Sequence, residues 1–222
     1  MNQGRLGESL LYELRKSEQI RIILKRKTMI WNCGGFRTKG ALTTMKKILV
    51  VVDYQNDFVN GALGFKKAET IEGVILQKIA EYRDNGHDVA FTFDTHSEDY
   101  LSTQEGVNLP VKHCIKGTAG WELYGKVKDN CIETDKRFEK TAFGSLELVR
   151  YLEEKKYDSV ELIGLVSNIC VLSNAVLAKA ALPEALVIVD ASAVASYDDK
   201  LNNAALDVME SIHIRVTKKC HN

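Results

Sequence analysis

Three side chains of this sequence suit attack on a carbonyl carbon. Cys170 ends the run Gly164-Leu165-Val166-Ser167-Asn168-Ile169-Cys170, which reads as a strand end, a turn and the start of a helix. A thiol with a pKa of about 8.5 is only a few per cent thiolate at neutral pH. A helix N-terminus and a nearby ammonium favour the anion, and a carboxylate can take the departing proton. Asp53, in Val52-Asp53-Tyr54, and Lys136, in Asp135-Lys136-Arg137-Phe138, supply those two groups. The turn before Cys170 would aim backbone N–H groups at a developing oxyanion. An amide carbonyl is the natural target, because acyl transfer to sulfur divides a hard hydrolysis into two steps. Taken singly, each residue has a plainer role. Asp53 could cap a turn, Lys136 could be a surface charge beside Arg137 and Lys140, and Cys170 could be a small buried hydrophobe.

A second set lies in one extended stretch: Asp94-Thr95-His96, then Glu105, then His113. Carboxylate and imidazole donors in this mixture suit Zn²⁺, with Fe²⁺ or Mn²⁺ as alternatives. Glu105 could equally be a plain loop charge, and Glu98 is a spare carboxylate.

The elements that must position these groups alternate between strand and helix. Residues 47–52 (KILVVV) are a short β-branched run with too little polarity for an exposed strand, so it is expected to be buried on both faces of a parallel sheet. A helical stripe spans 68–83 and ends at Asn85-Gly86, where glycine permits a left-handed cap. Further strands are expected at 89–93, 131–134, 160–165, 186–189 and 213–216. Helices are expected at 146–154, 170–181 and 198–209. The pattern predicts a single three-layer α/β/α domain around a six-stranded, mostly parallel sheet of order 3-2-1-4-5-6. Asp53, Asp94, Lys136 and Cys170 would then all follow strand ends, and ligands of open α/β sheets bind at that edge. The long connection from 94 to 129 is expected to carry function.

With 222 residues, 45% hydrophobic and 27% charged, the chain can bury a sizeable core. Zero formal net charge gives no global field for nucleic acid or an anionic membrane surface. No apolar run approaches the roughly 18 residues that span a bilayer. The five cysteines (Cys33, Cys114, Cys131, Cys170 and Cys220) lack CxxC spacing, which speaks against a disulfide framework or a zinc knuckle and for a reducing cytoplasm.

Residues 1–44 differ from the rest. They hold nine Lys/Arg against three Asp/Glu, without sustained apolar periodicity. They are expected to be a dispensable basic extension, or to precede a native start at Met45, with residues 45–222 forming the domain.

Three motifs carry a resemblance. Ile48 to Phe58 (ILVVVDYQNDF), His113 to Thr118 (HCIKGT) and Gly164 to Val171 (GLVSNICV) are similar to those of the isochorismatase-like cysteine hydrolases, in the same order. The resemblance runs from Met45 nearly to the C-terminus. It implies an Asp-Lys-Cys triad, here Asp53, Lys136 and Cys170, with Lys140 as the competing lysine. It also implies a cis peptide at Val166-Ser167 and oxyanion donors from the backbone of Val166 and Cys170. Asp94, His96, Glu105 and His113 resemble the metal site of the nicotinamidases within that family, which implies nicotinamide as substrate. Phe58 would line the ring pocket and Gln55 would order Asp53 or solvent. Asn202-Asn203 stand where the family often has a histidine, and are expected to be a surface difference. A homo-oligomer is compatible with the resemblance. Another small amide, or a non-catalytic binding role, remains the alternative.

Overall fold

A computed structural model describes residues 45–217 of the chain. The N-terminal extension expected over residues 1–44 lies outside the described residues. Six parallel strands form one sheet in the order β3-β2-β1-β4-β5-β6, as expected. They are β1 (Lys47–Val52), β2 (Asp88–Asp94), β3 (Lys136–Lys140), β4 (Ser159–Leu165), β5 (Leu186–Ala195) and β6 (Arg215–Thr217). The principal covering helices are α1 (Asn56–Val59), α2 (Lys66–Thr70), α3 (Glu72–Asp84), α4 (Gln104–Asn108), α5 (Gly125–Asp129), α6 (Leu146–Lys155), α7 (Leu172–Ala181) and α8 (Asp199–Ser211).

Alternation along the buried strands divides the core in two. Ile48, Val50 and Val52 of β1 point to one face, where Leu148 and Leu152 of α6, Ala175 and Ala178 of α7, and Leu206 and Met209 of α8 pack. Leu49 and Val51 point to the other, against Ile75, Ile79 and Tyr82 of α3. Those three residues recur at helical spacing, which accounts for the stripe visible in the sequence. Both faces of β1 are therefore dry, and its residues from Ile48 to Val52 have no exposed surface. No helix among the described residues is long and apolar enough to cross a membrane.

The third strand departs from expectation. Residues 131–134 lie in a turn, where the Asp135 carboxylate accepts from the Ile132 amide at 2.9 Å. The strand is Lys-Arg-Phe-Glu-Lys at 136–140, on the edge of the sheet. Charged side chains are suited to an edge, so charge in this run was no argument against a strand. The change moves the strand end, and so the lysine that sits there.

Gly164 sets the distance between the central strands. It pairs with Val52 across β1 and β4 and adopts φ +108°. A Cβ at this position would lie 2.2 Å from the Val52 carbonyl oxygen. Only glycine satisfies both conditions, and the residue after Val52 is Asp53. Gly164→Ala is expected to destabilise the fold by on the order of 3 kcal/mol. Urea denaturation measures it, and an unchanged midpoint would contradict the close approach.

Candidate active site

The carboxyl ends of the strands bring the reactive side chains together. Asp53 follows β1 with φ +45° and is fully buried. Its Oδ1 accepts from the Thr92 hydroxyl at 2.6 Å, and its Oδ2 lies 2.7 Å from the Lys140 ammonium. Lys140 ends β3, and its Nζ also reaches Asp94 Oδ1 at 3.0 Å and Cys170 Sγ at 3.5 Å. Cys170 sits in a widened turn, Ser167–Val171, that runs straight into α7. Its defining bond is Val171 N–H to the Val166 carbonyl at 3.1 Å, a span of five residues. Such widened turns recur at functional sites.

Lys136 is not in this group. It opens β3 with an exposed side chain, pairs in register with Ala90, and lies four strand residues, about 13 Å, from the site. Lys140, which pairs with Asp94, takes the position that the sequence reading gave to Lys136. The cis peptide falls at Leu165-Val166, one bond before the expected Val166-Ser167.

Burial and charge compete across the trio. Burial raises the Asp53 carboxyl, against the pull of Lys140. Burial likewise pushes the Cys170 thiol well up, with Lys140 opposing and Asp53 adding to the rise. Burial weakens the Lys140 ammonium, but Asp53, Cys170 and Asp94 outweigh it and hold its pKa well above the ordinary lysine value. The Lys140 ammonium thus sits between the Asp53 carboxylate at 2.7 Å and the Cys170 sulfur at 3.5 Å.

Asp94, His96, Glu105 and His113 converge next to the trio, with their ligand atoms within 4.8 Å of one another. Asp94 Oδ2 lies 3.0 Å from His96 Nε2 and 3.4 Å from His113 Nε2. Glu105 Oε1 is 3.9 Å from both imidazoles. His113 Nδ1 donates to the Val111 carbonyl at 2.8 Å, which orients the ring with Nε2 toward the cluster. Burial works against the Asp94 anion, yet His113, His96 and Lys140 hold its carboxyl far below the usual range. Burial and the Asp94 charge raise Glu105. Two carboxylates and two imidazoles, three of the four residues buried, fit a divalent transition metal. Glu98 instead pairs with Lys112 at the surface.

Between the cluster and the thiol lies a cavity of about 470 Å³. Phe58, Leu63, Leu109, Phe143, Val166, Ile169 and Tyr197 form apolar walls, while Asp94, Glu105, His113 and Cys170 supply polar groups. Phe58 lies edge-on to His113 with ring centroids 5.5 Å apart. Gln55 does not reach the cavity. It is fully buried, donating to the carbonyls of Asp94 (2.9 Å) and Trp121 (2.7 Å) and accepting from the Asp94 amide (2.8 Å). Its side chain fixes the end of β2, and its contact with Asp53 is through the backbone, its amide donating to the Asp53 carbonyl at 2.8 Å.

Four contributors escaped the sequence reading. Thr92 holds Asp53. Asp57 accepts from the Cys114 amide at 2.7 Å, steadying the residue beside His113. Tyr100 is fully buried, with its ring 4.6 Å from that of His96 and 5.0 Å from that of His113. Asn202 is buried and bonded to Ser167, so it is not a surface difference. The motif Asp53-Tyr54-Gln55-Asn56-Asp57-Phe58 flagged Asp57 only by its company. Nothing local marked Thr92 or Tyr100, and the resemblance drew notice to Asn202 only as a surface difference.

Known proteins share this arrangement of elements. The isochorismatase domain model matches residues 47–219. The chain belongs to the isochorismatase family. An uncharacterized isochorismatase family protein, PncA, of Bacillus subtilis is 36% identical over 143 residues, covering 60% of this chain and 78% of that protein. The crystal structure of nicotinamidase PncA from Bacillus subtilis superposes with a TM-score of 0.70 at 32% identity, covering 78% of this chain and 100% of that one. A nicotinamidase/pyrazinamidase of Mycobacterium tuberculosis is 26% identical over 184 residues, covering 77% of this chain and 97% of that protein. As an isochorismatase family member the chain shares the six-stranded parallel sheet of its structural neighbours.

His96→Ala is expected to weaken metal binding at least about 10-fold while leaving the fold intact. Metal bound per chain after dialysis against a defined zinc buffer measures it. Full occupancy in the variant would remove His96 from the ligand set.

Proposed function

We propose that the chain is a nicotinamidase, a cysteine amidohydrolase that converts nicotinamide to nicotinate and ammonia and so returns the ring to pyridine nucleotide salvage. One observation carries the reading: a buried Asp53–Lys140–Cys170 contact opens on an apolar cavity whose far side is a metal-type cluster. The relatives whose names include this activity support it.

Asp53 takes the thiol proton of Cys170, and the sulfur attacks the amide carbon. The charge on the carbonyl oxygen is met by the backbone N–H groups of Val166 and Cys170. Asp53 returns the proton to nitrogen, the C–N bond breaks, and ammonia leaves a thioester on Cys170. Asp53 then accepts a proton from water as it attacks the thioester, and nicotinate departs with the thiol restored. Lys140 stays charged throughout and holds both partners in place. Phe58 and the other apolar walls exclude water and orient the ring. A divalent metal held by Asp94, His96, Glu105 and His113, zinc by the chemistry of the donors or else iron or manganese, would supply a Lewis-acidic position for the pyridine nitrogen.

Ammonia release from nicotinamide tests the reading directly. Wild type is expected to turn over. Cys170→Ala and Lys140→Ala are expected to lose roughly 10³-fold or more, and Lys136→Ala to stay within about twofold. A metal-loaded wild type that releases no ammonia would overturn the substrate assignment. Equal losses at both lysines would overturn the choice of Lys140.

The pH profile follows from Asp53. Turnover needs its anion, so activity is lost as pH falls through its folded pKa, which burial has raised. The Thr92 hydrogen bond favours that anion and counters the rise. Thr92→Val is therefore expected to move the acid limb of kcat/KM to higher pH. A limb that stays in place or moves down would show that another group controls it.

A further inference from the structure

We propose that Asn202 is a positioning residue: through Ser167 it holds the turn that presents Cys170. Ser167 is fully buried, and its hydroxyl donates to Asn202 Oδ1 at 2.6 Å. Asn202 is itself 9% exposed and lies in the first turn of α8, with its amide bonded to the Asp198 carbonyl at 2.9 Å. That end of α8 is rigidly made, since the Asp198 carboxylate accepts from the amides of Lys200 (2.8 Å) and Leu201 (3.0 Å).

The bond has a mechanical consequence. A buried serine in a helical turn can satisfy its hydroxyl on a carbonyl of its own segment. Here the hydroxyl is committed to another helix, 35 residues away in sequence. Ser167 opens the widened turn, and Cys170 follows three residues later. At the other end Asn174 donates to the Cys170 carbonyl at 2.8 Å and to the Phe143 carbonyl at 3.1 Å. The turn is thus pinned at both ends by buried side-chain amides. Tyr197, one residue before the α8 cap, lines the cavity. Asn202 therefore fixes the nucleophile turn relative to the helix that follows the cavity residue Tyr197. Its removal would strand a buried donor, and the turn would relax to satisfy it.

The kinetic arm of the test rests on the nicotinamidase reading, whereas thiol reactivity does not. Cys170 alkylation by iodoacetamide, followed by peptide mass spectrometry across pH, is compared with kcat and KM for nicotinamide. The set is wild type, Asn202→Ala, Asn202→His, Ser167→Ala and the Asn202→Ala/Ser167→Ala pair. Asn202→Ala is expected to lower kcat about 10- to 100-fold with KM changed by no more than about twofold, and to change the alkylation rate at least about threefold. Asn202→His keeps a lone pair for Ser167 and is expected to restore both. The pair should be no worse than the worse single variant, because both changes remove one bond. Should Asn202→Ala fail to fold, Ser167→Ala carries the same comparison. Unchanged alkylation and kcat would overturn the proposal, as would losses that track melting temperature and are not restored by histidine. Wild type that alkylates at Cys170 but releases no ammonia would sink the nicotinamide reading alone, and alkylation would still decide the role of Asn202.

Discussion

The ammonium of Lys140 is buried to 2% side-chain exposure and touches two carboxylates and a sulfur, at 2.7, 3.0 and 3.5 Å. Removing such a charge from water costs several kcal/mol, and only close, well-directed partners offset it. Asp53 and Asp94 are those partners, and burial works against the anion of each. The contact therefore dictates where three strands end. β1 must stop at Val52 so that Asp53 turns in, β2 must carry Asp94 to the same edge, and β3 must lie beside β2 in the register that pairs Lys140 with Asp94. Gly164 lets β4 approach β1 closely enough for Cys170 to complete the set.

Two carboxylates against one ammonium leave an excess of negative charge in a dry place. The structure disposes of it through Asp94, whose Oδ1 faces Lys140 while Oδ2 faces the imidazoles of His96 and His113. One carboxylate thus serves both the nucleophile and the metal-type cluster. A cation in that cluster would draw on the same carboxylate that helps to keep Lys140 charged. Gln55 guards this shared residue from behind by holding its backbone on both sides. Rigidity at Asp94 matters more than at any single ligand, because displacement there would disturb both halves of the site.

How legible this was in the sequence depended on the range of the contacts. The β-branched runs at β1, β4 and β5 announced themselves because they are dry on both faces. Parallel alternation with helices then fixed the strand order, and with it the neighbours Asp53 and Cys170. The four metal-type residues were legible because they share one loop and one chemistry. β3 was not, since an edge strand written Lys-Arg-Phe-Glu-Lys looks like surface, whereas Cys-Ile-Glu-Thr before it looks like strand. Placing the strand five residues early moved the choice of lysine from Lys140 to Lys136. The roles of Thr92, Gln55 and Asn202 were hidden for a different reason. Each rests on one hydrogen bond, or a few, across 35 or more residues, and no local pattern encodes such a contact.

The cavity adds a constraint that the trio alone does not supply. Its walls are aromatic and aliphatic, so burying a flat ring there is favourable by area, but area alone selects poorly among rings. Selection comes from leaving polar groups unpaired when the wrong molecule enters. On the nicotinamidase reading, a ring without a donor atom leaves the cluster side unsatisfied. A ring without a carboxamide leaves the thiol and its oxyanion donors facing carbon. Both penalties fall in a largely apolar cavity, where an unmatched polar group is costly. Specificity then follows from the fixed separation of two polar ends on one rigid sheet edge, and Asp94, bonded toward both, is the residue that sets it.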